Sequence, residues 1–187
     1  MRIGYLGPEG TYTQQATEKL LDKLSLPYAE RLPLRSIDNV LESLNQGEID
    51  CVVVPLRNSL VGDYAETAKG LGRYDFVRID SVELQIKLAL GIHPKGNKND
   101  IKEIRSKDTA LRECSKYLNE HYANAHLVEV ESTAAAMQNV IQQNQIYTAA
   151  IGSEIGMKLY GLKIVDDDIG NEKNNFTTFV FLKRKSL

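Results

Sequence analysis

Apolar positions along this chain recur with two different periods, and the changes between them outline a series of α/β units. Ile3, Tyr5 and Leu6 make a short apolar run that stops at Gly7-Pro8-Glu9-Gly10, the pattern of a buried strand followed by a turn. Thr11 or Thr13 can cap a helix that carries Ala16 and Leu20 and reaches Leu24, and Pro27 closes the segment. This order brings the backbone N–H groups of a helix start to the end of a strand, a place where an anion can be held.

The next unit has clearer boundaries. Ser36 stands before Ile37, Val40, Leu41 and Leu44 at helical spacing, Gly47 is the stop signal, and Cys51-Val52-Val53-Val54 reads as a strand ending at Pro55. An almost unbroken β-branched run belongs in a sheet covered on both faces. The polar loop Pro55-Leu56-Arg57-Asn58-Ser59 then leaves the carboxyl end of that strand, where open α/β sheets place ligands.

A similar unit recurs 96 positions later, with Ser132-Thr133 before Ala136, Met137, Val140 and Ile141, an apolar strand over residues 146–151, and the loop Gly152-Ser153-Glu154. The likeness is one of pattern rather than of residues, and it predicts two lobes of related construction. Between the two units, residues 82–92 alternate apolar and polar in the manner of one half-exposed strand, until His93-Pro94-Lys95-Gly96 breaks it. A short strand is expected over residues 101–104, then a helix opening at Ser106 or Asp108 with Leu111, Cys114 and Leu118 along it. Thr178-Phe179-Val180-Phe181-Leu182 is a final strand preceded by the polar loop Asn174-Asn175-Phe176-Thr177. Returned to the first lobe, that strand makes the lobe discontinuous, and the expected division is 1–78 with 165–187 against 79–164.

Composition narrows the function. The 187 residues carry 23 basic and 25 acidic side chains, a formal charge of -2, which provides no electrostatic footprint for a nucleic-acid partner. No run approaches the length of a membrane span, the amino terminus lacks a signal-peptide pattern, and Cys51 and Cys114 read as core thiols, so the expected location is the cytoplasm. His93, His121 and His126 complete neither a metal site nor a nucleophilic triad, and no metal is expected. Gly4 and Gly7 do not match the dinucleotide fingerprint, and Pro8 removes a backbone donor. Polar loops at element boundaries are left as the candidate chemistry, pointing to a polar-lined cleft for a small anion.

At these loops the chain resembles prephenate dehydratases. The resemblance rests on residues 4–13, on Val53-Val54-Pro55-Leu56-Arg57-Asn58-Ser59 with Glu66-Thr67, on Ser106 and Ala110-Leu111, on Ser132-Thr133-Ala134, on residues 150–154 with Leu159-Tyr160-Gly161-Leu162, and on residues 174–179. It implies an α/β fold of two periplasmic-binding-protein-like (type II) lobes, each with a central sheet, and a cleft for prephenate between them. A homodimer and a carbon–oxygen lyase that needs no cofactor are implied as well. The regulatory domain common in the family is not expected within these 187 residues. The implied catalytic residues are Thr177, which assists hydroxide loss, with Asn58 and Ser59. The implied substrate-binding residues are Glu9, Gly10, Thr11, Arg57, Ser106, Glu113, Ser132, Thr133, Glu154, Thr178 and Phe179.

Several positions depart from the family pattern. Thr178 stands where the family usually has arginine, and Arg57 where it commonly has glutamate. Lys107-Asp108-Thr109 replaces His-Pro-Gln, Glu113 replaces a glutamine, and Leu88 replaces a histidine. One expectation follows, that Arg57 takes over carboxylate binding from the missing arginine. Three activities stay open: dehydration with decarboxylation of prephenate to phenylpyruvate, decarboxylation of prephenate or a related cyclohexadienyl acid with the hydroxyl retained, and non-catalytic binding of a small carboxylate.

Overall fold

The computed structural model describes residues 1–185 and divides the chain into two compact units, Met1–Ile86 with Asn174–Leu187, and Lys87–Lys173. The first unit opens with strand β1 (Arg2–Leu6), helix α1 (Tyr12–Lys23), β2 (Glu30–Leu34), α2 (Ile37–Gln46) and β3 (Cys51–Asn58). It continues with the two-residue β4 (Gly62–Asp63), α3 (Ala65–Arg73) and β5 (Phe76–Gln85), and is completed by the final strand β11 (Phe176–Arg184). Its sheet runs β2-β1-β3-β11-β5, with β1 parallel to β2 and β3, and β11 antiparallel to both β3 and β5. Both faces are covered, as the β-branched run in β3 requires. Tyr5, Val53, Phe179 and Phe181 pack with Leu20 and Leu21 of α1 on one face, while Val52, Val54, Val180 and Leu182 pack with Val40, Leu41 and Leu44 of α2 on the other.

The second unit contains β6 (Ala89–Ile92), a 3-10 turn (Lys98–Asp100), β7 (Glu103–Ser106), α4 (Asp108–Glu113), α5 (Ser115–His121), β8 (His126–Glu129), α6 (Thr133–Gln142), β9 (Thr148–Gly152), α7 (Glu154–Tyr160) and β10 (Lys163–Asp166). Its strand order is β8-β7-β9-β6-β10, with β7 parallel to β8 and β9, and with β6 antiparallel to β9 and to β10. The two sheets therefore share one strand arrangement: three parallel strands, a fourth antiparallel to them, and a fifth at the edge antiparallel to the fourth. The paired pattern read from the sequence sits at corresponding places. Ser36 caps α2 by accepting from Asn39 N–H at 3.1 Å, Ser132 caps α6 by accepting from Ala135 N–H at 3.0 Å, and each helix leads to the central strand of its sheet.

The single strand expected over residues 82–92 is two strands of different sheets. β5 ends at Gln85 in the first unit, and β6 begins at Ala89 in the second. The alternation is real on both sides of the break, but Leu84 and Leu88 enter different cores. The chain accordingly leaves the first unit after Ile86 rather than after residue 78, and returns at Asn174 rather than at 165, because β10 completes the second sheet.

Candidate functional site

The expected site residues fall into two groups, one on each unit. In the first unit, Asn58 ends β3 and lies in register with Thr177 on β11. Both side chains are buried, at 7% and 2% exposure, so each polar atom needs an internal partner. Asn58 Oδ1 accepts from Leu60 N–H at 2.9 Å and from Val61 N–H at 3.2 Å. Because those donors are main-chain groups, they fix which end of the amide is oxygen. Asn58 Nδ2 then donates to Asn175 Oδ1 at 2.7 Å and to Thr177 Oγ1 at 2.9 Å. Thr177 Oγ1 is thus an acceptor toward Asn58, which turns its own proton away from that amide.

Ser59 locks the same corner. Its hydroxyl donates to the Asn174 carbonyl at 3.0 Å and accepts from Phe176 N–H at 2.9 Å, while Ser59 N–H donates to the Phe176 carbonyl at 2.8 Å. The serine expected among the catalytic residues spends its hydroxyl on main-chain groups and fixes the approach to β11. Asn175, absent from the expected set, is 6% exposed and holds the other side of the Asn58 amide. Its only signal in the sequence is the Asn174-Asn175 doublet ahead of the last strand.

The loop before α1 is largely satisfied from within. Thr11 caps the helix by accepting from Gln14 N–H at 3.3 Å, its hydroxyl donates to the Leu6 carbonyl at 3.3 Å, and Gly10 N–H donates to Gln14 Oε1 at 2.6 Å. This is a capping arrangement in which Gln14 reaches back to the residue before the cap. Gly10 has φ +83°, a left-handed turn that glycine adopts without strain, and Glu9 is exposed.

Arg57 lies in register with Thr178, so a guanidinium stands on the same rung of the sheet as the threonine at the position where the resemblance leads one to expect arginine. Its side chain is 70% exposed and 3.7 Å from Asp63 Oδ1, a loose pair. Neighbouring strand residues alternate between faces, so the Arg57 and Thr178 rung emerges opposite the Asn58 and Thr177 rung. Phe179, expected to bind substrate, is instead 2% exposed in the core with Tyr5 and Phe181.

In the second unit, Ser132 and Thr133 open α6, as their expected role at a helix start requires. Ser106, also expected at the substrate, is fully buried, and its hydroxyl donates to the Ile151 carbonyl at 2.8 Å, tying β7 to β9. Glu154 is exposed and pairs with Lys158 at 2.6 Å one turn along α7, and that hydrogen bond holds its carboxyl below the usual range. Glu113 is half-buried at the end of α4, and burial pushes its carboxyl above the ordinary glutamate range. Both thiols are buried and raised by that burial, Cys114 to about 12, which keeps them protonated and unreactive at neutral pH. Among the described residues no group of three or more His, Cys, Asp or Glu is placed to hold a metal ion, and no helix is long and apolar enough to cross a membrane.

The sequence and the fold both match known proteins. The family model for prephenate dehydratase matches residues 3–187. A bifunctional chorismate mutase/prephenate dehydratase of Buchnera aphidicola subsp. Schizaphis graminum is 30% identical over 183 residues, which cover 98% of this chain and 47% of that protein. The chain spans about half the length of the curated relatives it matches. The crystal structure of the prephenate dehydratase of Arthrobacter aurescens in complex with L-Phe superposes with a TM-score of 0.87 at 28% identity, covering 100% of this chain and 61% of the other. A periplasmic substrate-binding protein of a Coxiella burnetii ABC transporter, 13% identical with a TM-score of 0.52 over 99% of this chain and 85% of its own, shares the fold alone. Fold and family model agree, and the chain belongs to the prephenate dehydratase family.

Proposed function

We propose that this chain is a carbon–oxygen lyase that converts prephenate to phenylpyruvate, carbon dioxide and water. The observation that carries the reading is the Asn58 to Thr177 hydrogen bond, at 2.9 Å between two buried side chains. In the reaction the bond from the ring to the departing carboxylate breaks, and its electron pair enters the ring. The ring carbon to hydroxyl bond then breaks, its electrons leave with the oxygen as hydroxide, and a proton from solvent completes the water. Aromatisation supplies the driving force, so the chief requirement is a donor for the departing oxygen. Thr177 is that donor: its oxygen accepts from Asn58, which strengthens its own O–H as a donor, and a hydrogen bond aimed at developing negative charge acts most strongly where water is excluded.

The substrate carries two carboxylates. The start of α6 at Ser132 and Thr133 is proposed as an anion-holding element, because the first N–H groups of a helix attract anions. Arg57, by contrast, emerges on the sheet face opposite Thr177 and is not assigned to the substrate that Thr177 meets. Glu9, Gly10, Thr11, Glu113 and Glu154 complete the proposed substrate-binding set. We assign the activity to phenylalanine formation in the cytoplasm by a homodimer, the last of which light scattering on the purified protein tests directly.

The deciding experiment is product analysis after incubation with prephenate. Phenylpyruvate supports the reading. Carbon dioxide released with the hydroxyl retained on the product replaces it with a simple decarboxylase, and stoichiometric binding without product replaces it with a carboxylate-binding protein.

A further inference from the structure

Asn175 touches no proposed substrate group, yet its position decides what Thr177 can do. With the oxygen of Asn58 fixed by Leu60 and Val61 N–H, the nitrogen must face Asn175 and Thr177. An N–H there demands an acceptor, so the Asn175 atom at 2.7 Å is its oxygen. The two N–H groups of one amide are thereby divided, one to Asn175 and the other to Thr177. Without Asn175, the Asn58 amide loses one of the partners that hold its plane, and its contact with Thr177 is less firmly fixed.

The backbone around Asn175 is set on both sides. The Asn174 carbonyl accepts from Ser59 Oγ at 3.0 Å, the Asn175 carbonyl from Ile86 N–H at 2.8 Å, and the Phe176 carbonyl from Ser59 N–H at 2.8 Å. The side-chain oxygen of Asn175 therefore arrives at a fixed place, and so does the amide it holds. We infer that Asn175 is a positioning residue for the dehydration step, acting through Asn58 on the donor hydroxyl of Thr177. This rests on the function proposed above.

A positioning role and a merely structural one differ in a double-mutant cycle. Asn175→Ala in the wild-type background is expected to lower kcat by roughly tenfold to a hundredfold, with KM within about twofold, because the lost contact acts in the transition state. In a Thr177→Val background, which has no hydroxyl to position, the same change is expected to lower kcat less than about twofold. Asn175→Ser keeps a polar side chain too short to reach Asn58 and carries the same expectation where the alanine variant does not fold. Equal losses in the two backgrounds overturn the positioning role and leave the proposed function standing.

A second measurement does not depend on activity. Both side-chain amide protons of Asn58 should be shifted downfield and protected from solvent exchange in the wild-type NMR spectrum, and Asn175→Ala or Asn175→Ser should release one of them. Unchanged Asn58 amide signals in these variants overturn the inference alone. Wild-type protein that forms no phenylpyruvate overturns the functional reading and the positioning role together.

Discussion

Thr177→Val keeps the shape of a buried side chain and removes only the hydroxyl. It also leaves one Asn58 N–H without its acceptor, at a cost of about 1–3 kcal/mol. The expected result is a kcat lower by roughly a hundredfold to a thousandfold, the scale of losing one donor to developing negative charge. Thr177→Ser should recover most of it, and a valine variant turning over within about threefold of wild type would remove Thr177 from the reaction. Glu113 makes a different prediction. Burial raises its carboxyl in the folded protein, so the folded state binds its proton more tightly than the unfolded state does. As pH rises from the unfolded glutamate value through the raised folded one, stability is lost, and above the folded value the full penalty is present. Glu113→Gln should therefore be more stable than wild type in urea at neutral pH, with the gain vanishing near pH 4, about where an unfolded glutamate titrates. A gain equal at both pH values would mean that the ionised carboxylate is not its source.

Elements with strong local signals were legible, and those that depend on distant partners were not. Helix α2 follows from a serine cap and Gly47, whose φ of +77° is the left-handed stop its sequence position implies. The β-branched run marks strand β3, which continues past Pro55 to Asn58 through its pairing with β11, so that Arg57 and Asn58 are strand residues rather than the loop expected there. Strand β2 was not, because Pro33 lies inside it and the strand is partly exposed at the sheet edge. Helix α3 was hidden by Gly70 and Gly72, which depress helix propensity, although Gly70 packs closely against Leu41. In the site, Asn58 and Thr177 were visible as polar residues beside strand patterns, but Asn175 meets Asn58 across 117 positions, and no local pattern encodes such a contact. Close packing gives the prediction at this scale. A Cβ on Gly91, inside β6, would lie 2.3 Å from Met157 Sδ and 3.2 Å from Leu162 Cβ. Met157 is fully buried and cannot swing into solvent, so Gly91→Ala should cost about 1–3 kcal/mol by overpacking. An unchanged urea midpoint would show that α7 shifts freely.

The same strand arrangement is built in two ways along the chain, and that difference can be tested on fragments. The second unit is one continuous stretch, Lys87–Lys173, and all five of its strands come from within it. Its edge strand is tied down locally: Asp166 of β10 accepts from Tyr122 Oη at 2.7 Å and pairs with Lys98, and although burial pushes the Asp166 carboxyl up, those partners outweigh it and hold the group below the usual range. The first unit instead takes β11 from the end of the chain and inserts it between β3 and β5. Among the described residues β5 pairs with no other strand, and Phe179, Val180, Phe181 and Leu182 fill both faces of the core. Removing residues 174–187 therefore exposes two buried strand edges and deletes four core side chains, each of which contributes about 1.5–3 kcal/mol on burial. That loss is comparable to the entire stability of a domain this size, about 5–15 kcal/mol. The fragment 87–173 should give a dispersed amide spectrum and a cooperative thermal transition. The fragment 1–173 should show those same signals, with residues 1–86 collapsed into the narrow range of an unfolded chain. Dispersed signals from residues 1–86 in that longer fragment would mean that the parallel strands β2, β1 and β3 with their helices are stable without the strand that carries Thr177.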